Sequence, residues 1–481
     1  MGSSAKRMTV VVIVCCQFLN SFTGSAMNVA IPTIGAEFHA AAADLGWVVT
    51  AYNMCTVALL LPLGRLADLT NRRAIYLLGL GILTAVAEAA AWAPGLDALI
   101  VTRVIQGLGA SCIFATGQAI LLGAVPDDSR GRAIGWSTAA VYIGLSAGPV
   151  VGGFITHHLG WRAVFHVIAV IGLVLVGFAA TQLPPNAANS ASAQPAAAPV
   201  NPVDPVPASP APSLRQRLDL PGMALVTIAS LLVTYGLTEL PAAPALIALA
   251  VGVALLAAFV AHERRTDTPL LPATLWRAGA NFVLSNLSAL LSYAATFAIS
   301  YLLAIYLQQV KGLGADLSGV ILITSPLVQA VISPWTGRLA DRHSPFLLAS
   351  LGMGLCAAGL VVFAFLDPGT PLWLILAVLA VIGFGFGLFA TPNTTAIMSM
   401  TPPADHGLTN AFISMVRNLG MVCSMAVITV LVRASFGDAE IATAPVPVIT
   451  NTMRLAFAIF AGICAVGVFT SLNRRTGQPL R

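Results

Sequence analysis

Fourteen apolar runs, each about as long as a bilayer-spanning helix, occupy most of this 481-residue sequence. A spanning helix needs roughly 20 consecutive, mostly apolar residues. The runs cover residues 8–30, 47–63, 74–93, 97–122, 133–155, 163–181, 220–240, 243–261, 281–307, 317–335, 345–366, 371–398, 408–432 and 455–472. They predict an all-α polytopic membrane protein with 14 transmembrane helices.

The charge content agrees with this prediction. Only 9% of the residues are charged, against about 25% in a typical soluble domain, and 58% are hydrophobic. A charge at the bilayer centre costs several kcal/mol, which explains the deficit. The net charge of +5 does not indicate a nucleic-acid partner, because the basic residues form short clusters between the apolar runs. The seven cysteines lie inside apolar runs without metal-ligand spacing, so no metal and no cofactor is expected.

The basic residues also predict the orientation of the chain. The side that holds the N-terminus collects 17 of the 23 lysines and arginines, and the opposite side has four. The two remaining arginines, Arg103 and Arg417, fall within spans. By the positive-inside rule we expect a multi-pass protein of the inner (cytoplasmic) membrane with both termini cytoplasmic. The first span is expected to remain uncleaved.

One segment differs from all the others in composition. Residues 184–212 consist largely of Ala, Pro, Asn and Ser, and nine of them are prolines. Such a composition disfavours both helix and sheet and predicts an extended, disordered cytoplasmic linker. A plain tether between the two halves is the expected role, and a regulatory segment is the alternative. The predicted organisation follows. A six-helix bundle covers residues 1–183, the linker 184–218, an inserted transmembrane hairpin 219–262 and a second six-helix bundle 263–481.

The two halves share a sequence repeat. Residues 64–68 read GRLAD after the second span, and residues 337–341 read GRLAD after the tenth. If the inserted hairpin is set aside, both strings follow the second span of a six-helix unit. A duplicated bundle is the simplest explanation, and internal repeats are the usual architecture of secondary transporters.

Three further strings complete the pattern. Residues 103–110 read RVIQGLGA in the fourth span, residues 144–153 read GLSAGPVVGG in the fifth, and Asp219 precedes Leu-Pro-Gly as a natural helix N-cap. Together with the repeated loop string they resemble the major facilitator superfamily, in particular its fourteen-spanner drug:proton antiporter branch, over essentially the whole chain. The resemblance implies two six-helix bundles that carry a solute by alternating access, and no enzymatic activity.

The resemblance implies gating roles for the loop strings and for the glycine-rich string of the fifth span. In the family the loop cluster holds the two halves together in one conformational state and releases them in the other. The alternative is that the loops are charged only because the positive-inside rule places basic residues there. The fifth-span string is associated with antiport, with helix packing as the alternative. The residues concerned are Gly64, Arg65, Asp68, Arg72, Arg73, Gly144, Gly148, Pro149, Gly152, Gly337, Arg338, Asp341 and Arg342.

The resemblance also assigns a proton-coupling role to Arg103 and Gln106. The alternative is that Arg103 snorkels to the interface, since it lies six residues past Asp97, roughly 9 Å along a helix. The sequence departs from the multidrug pattern at Thr23, which stands where an aspartate is usual, and this weakens a cation-exporter assignment. Glu88 and Glu239 remain as candidate proton-carrying carboxylates, with interfacial placement as the alternative for each.

Polar residues within the core spans are candidates for the substrate cavity. Each of them could equally be a hydrogen-bonding contact between helices. The set comprises Asn20, Thr23, Asn28, Tyr52, Asn53, Gln118, Tyr142, Tyr293, Tyr301, Asn410 and Arg417.

We therefore expect a monomeric, proton-coupled exporter of small amphipathic or xenobiotic molecules, with protons and the bilayer as its other partners. A transporter of a specific polar or anionic metabolite or natural product is the alternative, because the acid is missing at Thr23 and Arg417 lies near the midplane.

Overall fold

The computed structural model describes residues 3–39, 45–126, 129–183, 218–266, 269–271, 279–402, 405–436 and 445–473. Within these ranges the regular structure is helical, without a β-strand. Residues 184–217, most of the predicted linker, lie outside the described part of the chain.

Fourteen of the described helical segments are long and apolar enough to cross a membrane, as the sequence predicts. The first half of the chain contributes α1 (Ser3–Phe38), α2 (Trp47–Leu69), α3 (Arg72–Ala91), α4 (Leu96–Ala124), α5 (Arg130–Leu159) and α6 (Trp161–Gln182). The inserted hairpin consists of α7 (Leu220–Thr238) and α8 (Ala243–Glu263).

The second half contributes six more spans. These are α9 (Gly279–Thr296, Ile299–Ile305 and a π-helical turn at Tyr306–Val310), α10 (Ala315–Leu322 and Thr324–Ala340), α11 (Pro345–Phe363), α12 (Leu372–Ser399), α13 (His406–Phe436) and α14 (Val446–Leu472). We call the membrane face at which α1 begins and α14 ends the terminal face, and the other the opposite face.

Several helices extend beyond the predicted apolar runs. Helix α1 continues to Phe38 instead of ending at residue 30, and α14 begins at Val446 instead of residue 455. An apolar run marks only the part of a helix that lies in the hydrocarbon core of the bilayer. The helix itself continues into the polar region for as long as its backbone N–H and C=O groups remain hydrogen-bonded. Local caps then define the ends. The Asn71 side chain accepts from the Ala74 N–H, and Asp219 accepts from the Gly222 N–H as predicted.

The packing of the first six spans recurs in the last six. In the first half α1 packs on α5, α2 on α4 and α3 on α4. The equivalent pairs in the second half are α9 on α13, α10 on α12 and α11 on α12. The contacts between the halves repeat as well, since α5 packs on α10 and α2 on α13. The GRLAD repeat is therefore accompanied by a repeat of three-dimensional contacts.

The inserted hairpin lies beside one of these contacts between the halves. Helices α7 and α8 pack on each other, and α7 also contacts α2 and α13. The ring of Tyr235 on α7 stacks on that of Trp47 at the start of α2, with 6.0 Å between centroids. The hairpin thus packs beside the α2–α13 contact and adds to neither six-helix unit.

Candidate functional site

The first GRLAD string ties the two halves together at the terminal face. Asp68 Oδ1 accepts a hydrogen bond from Arg72 Nε at 2.6 Å, and Asp68 Oδ2 accepts from the Leu408 N–H at 2.8 Å. Leu408 lies in the first turn of α13, where backbone N–H groups lack helical partners and the helix dipole favours an anion. Gly64 permits this approach, since a Cβ there would come within 2.7 Å of the Ala411 Cβ. Asp68 therefore caps a helix of the other half.

The second GRLAD string makes the equivalent contact. Asp341 Oδ1 accepts a hydrogen bond from the Gly131 N–H at 2.8 Å, and Gly131 lies in the first turn of α5. Gly337 packs so closely on Gly131 that a Cβ would overlap the Gly131 carbonyl. Since α5 occupies in the first half the place of α13 in the second, the two aspartate contacts are counterparts. Both of them close the terminal face.

Arg103 is fully buried in the first half. Its Nε donates to the Val48 carbonyl at 2.9 Å and its Nη1 to Gln106 Oε1 at 2.8 Å, and its Cζ lies 4.4 Å from the centre of the Tyr52 ring. A snorkelling arginine would instead expose its charged end. The described residues give Arg103 no carboxylate partner. Backbone carbonyls, a glutamine and an aromatic face therefore satisfy its donors.

Thr23 lies beside this arginine. The Thr23 carbonyl is 3.4 Å from Arg103 Nη2, and the Thr23 hydroxyl donates to the Leu19 carbonyl at 2.8 Å. The position at which an acid is expected from the family resemblance is therefore next to the buried guanidinium. Nearby, the Tyr52 hydroxyl donates to the Asn20 carbonyl at 3.1 Å, so two predicted cavity residues belong to the same cluster.

The glycines of the fifth-span string form a packing surface against α1. Gly144, Gly148 and Gly152 recur every four residues and face α1 near Phe18, Ser25 and Ala26. The Ser25 hydroxyl donates to the Gly144 carbonyl at 3.2 Å. Helix α5 runs unbroken from Arg130 to Leu159 although Pro149 lies within it. The string thus brings two helices of the first half into backbone contact.

A second polar cluster lies where the two halves meet. The hydroxyls of Tyr142 on α5 and Tyr293 on α9 are hydrogen-bonded at 2.6 Å. The Phe386 ring packs edge-on against both, at 5.3 and 5.2 Å between centroids. One turn after Arg417 on α13, Gly420 packs on Tyr293, since a Cβ on Gly420 would come within 2.8 Å of the Tyr293 Cβ. Tyr142, Tyr293 and Arg417 are among the predicted cavity residues, and the structure brings them together.

The other predicted cavity residues are more dispersed. Asn410 is buried and donates to the Phe114 carbonyl, and Gln118 is buried with Oε1 unpartnered. Tyr301 is 42% exposed on α9, and Asn53 is half-buried. The side chain of Asn28 lies outside the described residues.

Neither candidate carboxylate forms a hydrogen bond or an ion pair with Arg103 in the described structure. Glu88 is exposed near the end of α3, where it accepts from Trp92 Nε1 at 2.9 Å and pairs with His166 Nδ1 at 3.0 Å. Glu239 follows the last residue of α7. Both positions are at the opposite face, and their coupling role stays a prediction.

A further carboxylate fixes the opposite face of the first half. Glu37, near the end of α1, accepts from Trp161 Nε1 at 2.7 Å and pairs with Arg162, both at the start of α6. The hydrogen bond from Arg162, and to a smaller extent the one from Trp161, holds the pKa of Glu37 below its usual range. Glu37 therefore helps to hold the end of α1 against the start of α6.

Three residues of the polar cluster between the halves were not predicted. Gln329 on α10 is buried with Nε2 unpartnered, Phe386 forms the aromatic contact, and the Phe114 ring centre lies 4.9 Å from Arg417 Cζ. A glutamine within an apolar run was a usable signal for Gln329. Nothing local distinguishes these phenylalanines from the others.

A cavity of about 320 Å³ lies elsewhere, between α2, α4 and α7. Its walls are apolar and include Trp47, Cys55, Val104 and Leu231. None of the described cavity candidates lines it. Among the described residues there is also no group of three His, Cys, Asp or Glu side chains that could hold a metal ion.

The duplicated six-helix units and the polar clusters at their centre define a polytopic helical transport protein. A model of the Major Facilitator Superfamily matches residues 13–275 and 286–480. The chain therefore belongs to the Major Facilitator Superfamily, and it is a transporter of that fold.

Several relatives resemble it along most of their length. The riboflavin transporter RibZ of Clostridioides difficile is 28% identical, covering 99% of this chain and 100% of the relative. The cephamycin export protein CmcT of Amycolatopsis lactamdurans is 30% identical, covering 89% of this chain and 85% of the relative. The multidrug resistance protein Stp of Mycobacterium tuberculosis is 28% identical, covering 84% of this chain and 71% of the relative. The crystal structure of the human organic anion transporter MFSD10 (TETRAN) matches the fold with a TM-score of 0.67 at 12% identity, covering 98% of this chain and 100% of that one.

Proposed function

We propose that the protein exports small amphipathic molecules by alternating access, driven by the proton gradient. The observation that carries the proposal is the pair of equivalent contacts from Asp68 and Asp341 to helix N-termini of the opposite half. Contacts of this kind can break and re-form as the halves rock about a site between them. The cephamycin export protein CmcT among the relatives supports export as the direction of transport, and the multidrug resistance protein Stp is consistent with it.

The orientation belongs to the same proposal. The terminal face carries most of the basic residues and is therefore assigned to the cytoplasm. With that assignment, the two aspartate contacts close the cytoplasmic side. The structure then corresponds to a state in which substrate cannot return to the cytoplasm.

Proton coupling is assigned to the buried cluster of Arg103 and Gln106. A fully buried guanidinium without a carboxylate is costly, so the cluster is sensitive to any charge that enters it. The Arg103–Gln106 hydrogen bond and the Tyr52 ring hold the guanidinium in place.

The test uses everted membrane vesicles with a pH-sensitive dye and a panel of cationic, neutral and anionic compounds. We expect some compounds to collapse the proton gradient in vesicles with wild-type protein but not with Arg103→Ala. Arg433→Ala, which removes an exposed arginine, is the matched control and should behave as wild type. The coupling proposal is wrong if Arg103→Ala responds as wild type, and the exporter proposal is wrong if no compound acts.

A transporter for a specific polar or anionic metabolite is the second candidate. It is favoured by Thr23 in place of an acid and by Arg417, which forms no ion pair with the described carboxylates. The riboflavin transporter among the relatives is consistent with a metabolite substrate. In the vesicle experiment, a response to anions or neutral metabolites alone would select this candidate.

A further inference from the structure

The cluster between the halves has an excess of hydrogen-bond donors. The Tyr142 and Tyr293 hydroxyls share one hydrogen bond, which leaves one O–H proton for another acceptor. Gln329 is 4% exposed and packs beside Gly387, the residue after Phe386, and its Nε2 has no hydrogen-bond partner of normal geometry. Unpartnered buried donors of this kind are costly, so a missing acceptor is indicated.

Arg417 adds the largest share of these donors. A guanidinium carries five N–H donors and no acceptor. Its polar contact in the described structure is a long one of 3.5 Å from Nη2 to Ser414 Oγ, and its Cζ faces the Phe114 ring at 4.9 Å. It is half-buried, eleven residues into α13, roughly 17 Å along the helix axis. A ligand can therefore reach it at a depth where water is scarce.

No carboxylate of the described spans neutralises this charge. The acidic residues of these spans lie within about one turn of a helix end. The stretches that cross the bilayer, which exclude the ends of α1 and α10 that carry Glu37 and Asp316, contain Asp68, Glu88, Asp97 and Glu263. Arg417 forms an ion pair with none of them. A positive charge inside the membrane is normally paired with an acid or faces a water-filled cavity. Because the described spans give Arg417 no acidic partner, we infer that a bound ligand supplies the negative charge.

The remaining walls of the cluster are aromatic. Phe386 packs edge-on against both tyrosine rings, and Phe114 lies under the Arg417 guanidinium. Aromatic edges and faces of this kind pack well against a second flat ring. The cluster thus offers donors and a positive charge on one side and aromatic surface on the other.

We propose that this cluster is the substrate site and that it binds an amphipathic organic anion with an aromatic body. The carboxylate, or an equivalent acceptor group, pairs with the Arg417 guanidinium and accepts hydrogen bonds from the free tyrosine hydroxyl and from Gln329 Nε2. The aromatic body packs on Phe386 and Phe114. The inference rests on the proposed transport function, because a site between the halves serves a substrate only if the protein carries one.

The position of the cluster connects binding to movement. Tyr142, Phe114 and their helices belong to the first half, whereas Tyr293, Gln329, Phe386 and Arg417 belong to the second. An anion held by Arg417 and by the tyrosine pair therefore contacts both halves at once. Movement of one half against the other would change its contacts, as alternating access requires.

Binding of three probes of one shape tests the charge preference. These are 2-naphthoate, 2-naphthamide and 2-naphthylmethylammonium, with equilibrium binding measured on the purified full-length protein in lipid nanodiscs. We expect saturable binding of the naphthoate, binding of the amide weaker by about tenfold or more, and no binding of the ammonium compound. Equal or stronger binding of the ammonium compound would overturn the proposal.

Variants locate the site. Arg417→Gln is expected to weaken naphthoate binding by about tenfold or more, whereas Arg433→Gln, the same change at an exposed position of the same helix, should leave it unchanged. Arg417→Lys keeps the charge and should retain part of the affinity, which gives a reading even if the glutamine variant does not fold. Tyr293→Phe should weaken the binding of 2-naphthoate more strongly than it weakens the binding of 2-naphthamide. Wild-type binding in a folded Arg417→Gln protein would place the site elsewhere.

The same variants separate this inference from the proposed function. If vesicles show proton-coupled transport that Arg417→Gln and Arg417→Lys leave unchanged for every compound, the transport function stands and the site assignment is wrong. If naphthoate binding depends on Arg417 but no compound is transported by the wild type, the site stands and the transport proposal fails.

Discussion

At the scale of single residues, the environment of Arg103 is the most informative feature. Its donors are satisfied by the Val48 and Thr23 carbonyls and by Gln106, where a carboxylate would be the stronger partner. The chain therefore retains the buried cation of the family motif while lacking the acid at Thr23. We expect this combination to disfavour cationic substrates, because the described residues place no carboxylate beside Arg103 to balance a second positive charge.

This reasoning predicts a gain of function from Thr23→Asp. The new carboxylate would be on a residue whose backbone carbonyl is 3.4 Å from Arg103 Nη2, and we expect the longer aspartate side chain to reach the guanidinium. We expect cationic compounds to dissipate the proton gradient of everted vesicles more strongly than in the wild type, since a buried acid can alternate between a proton, Arg103 and a cation. Thr23→Asn, of nearly the same shape, is the control and should not show the gain. An equal response in both variants would contradict the prediction.

Sequence reasoning singled out some residues of the two polar clusters and missed others for a physical reason. Arg103 and Arg417 were found because a charge inside an apolar run needs an explanation, and Tyr142 because a hydroxyl there needs a partner. Phe114 and Phe386 were missed because a phenylalanine in an apolar run needs none. Their role depends on neighbours from other helices, which no local pattern specifies.

At the scale of helices, the α1–α5 contact depends on glycine. A Cβ on Gly148 would come within 2.8 Å of the Ala26 backbone nitrogen and would overlap the Ser25 hydroxyl. Backbone atoms cannot move aside as a flexible side chain can. The spacing of the glycines predicted close contact with a helix, and the structure identifies α1 as that helix.

Gly148→Ala should therefore destabilise the protein by about 1–3 kcal/mol through overpacking. Gly177→Ala is the matched control, because Gly177 also lies inside a helix but faces open space. That control should be neutral or slightly stabilising, since alanine favours helix by up to ~1 kcal/mol over glycine. Thermal unfolding of both variants in detergent, followed by size-exclusion chromatography, gives the comparison. Equal melting temperatures would show that the contact can relax.

At the scale of the whole molecule, the repeat was readable from the sequence but its contacts were not. The two GRLAD strings predicted a duplication, and the packing of α1–α6 and α9–α14 shows one. The partners of Asp68 and Asp341 are backbone N–H groups 340 and 210 residues away. Backbone groups carry no sequence signature, so only the fold could identify the closing contacts of the terminal face.

The two aspartate contacts should act together on the balance between closed and open states of that face. Each places a carboxylate on a helix N-terminus, which contributes about 1 kcal/mol. Losing both would shift the ratio of states by roughly 30-fold. Since alternative conformations commonly differ by a few kcal/mol, this is enough to populate an open state. The double variant Asp68→Ala with Asp341→Ala removes both acceptors and should therefore open the terminal face.

Electron–electron distance measurements can test this with spin labels at Arg132 and His343. Both residues are exposed at the terminal face, one in each half, and the labels would be placed in a background without the seven native cysteines. The parent should give one short distance, and the double variant should add a longer one, with each single variant in between. Asp97→Ala, the same change at an exposed acid of the opposite face, should leave the distribution unchanged. If the double variant kept the parent distribution, the aspartate contacts would be a consequence of closure rather than its cause, because helix packing alone would then hold the halves together.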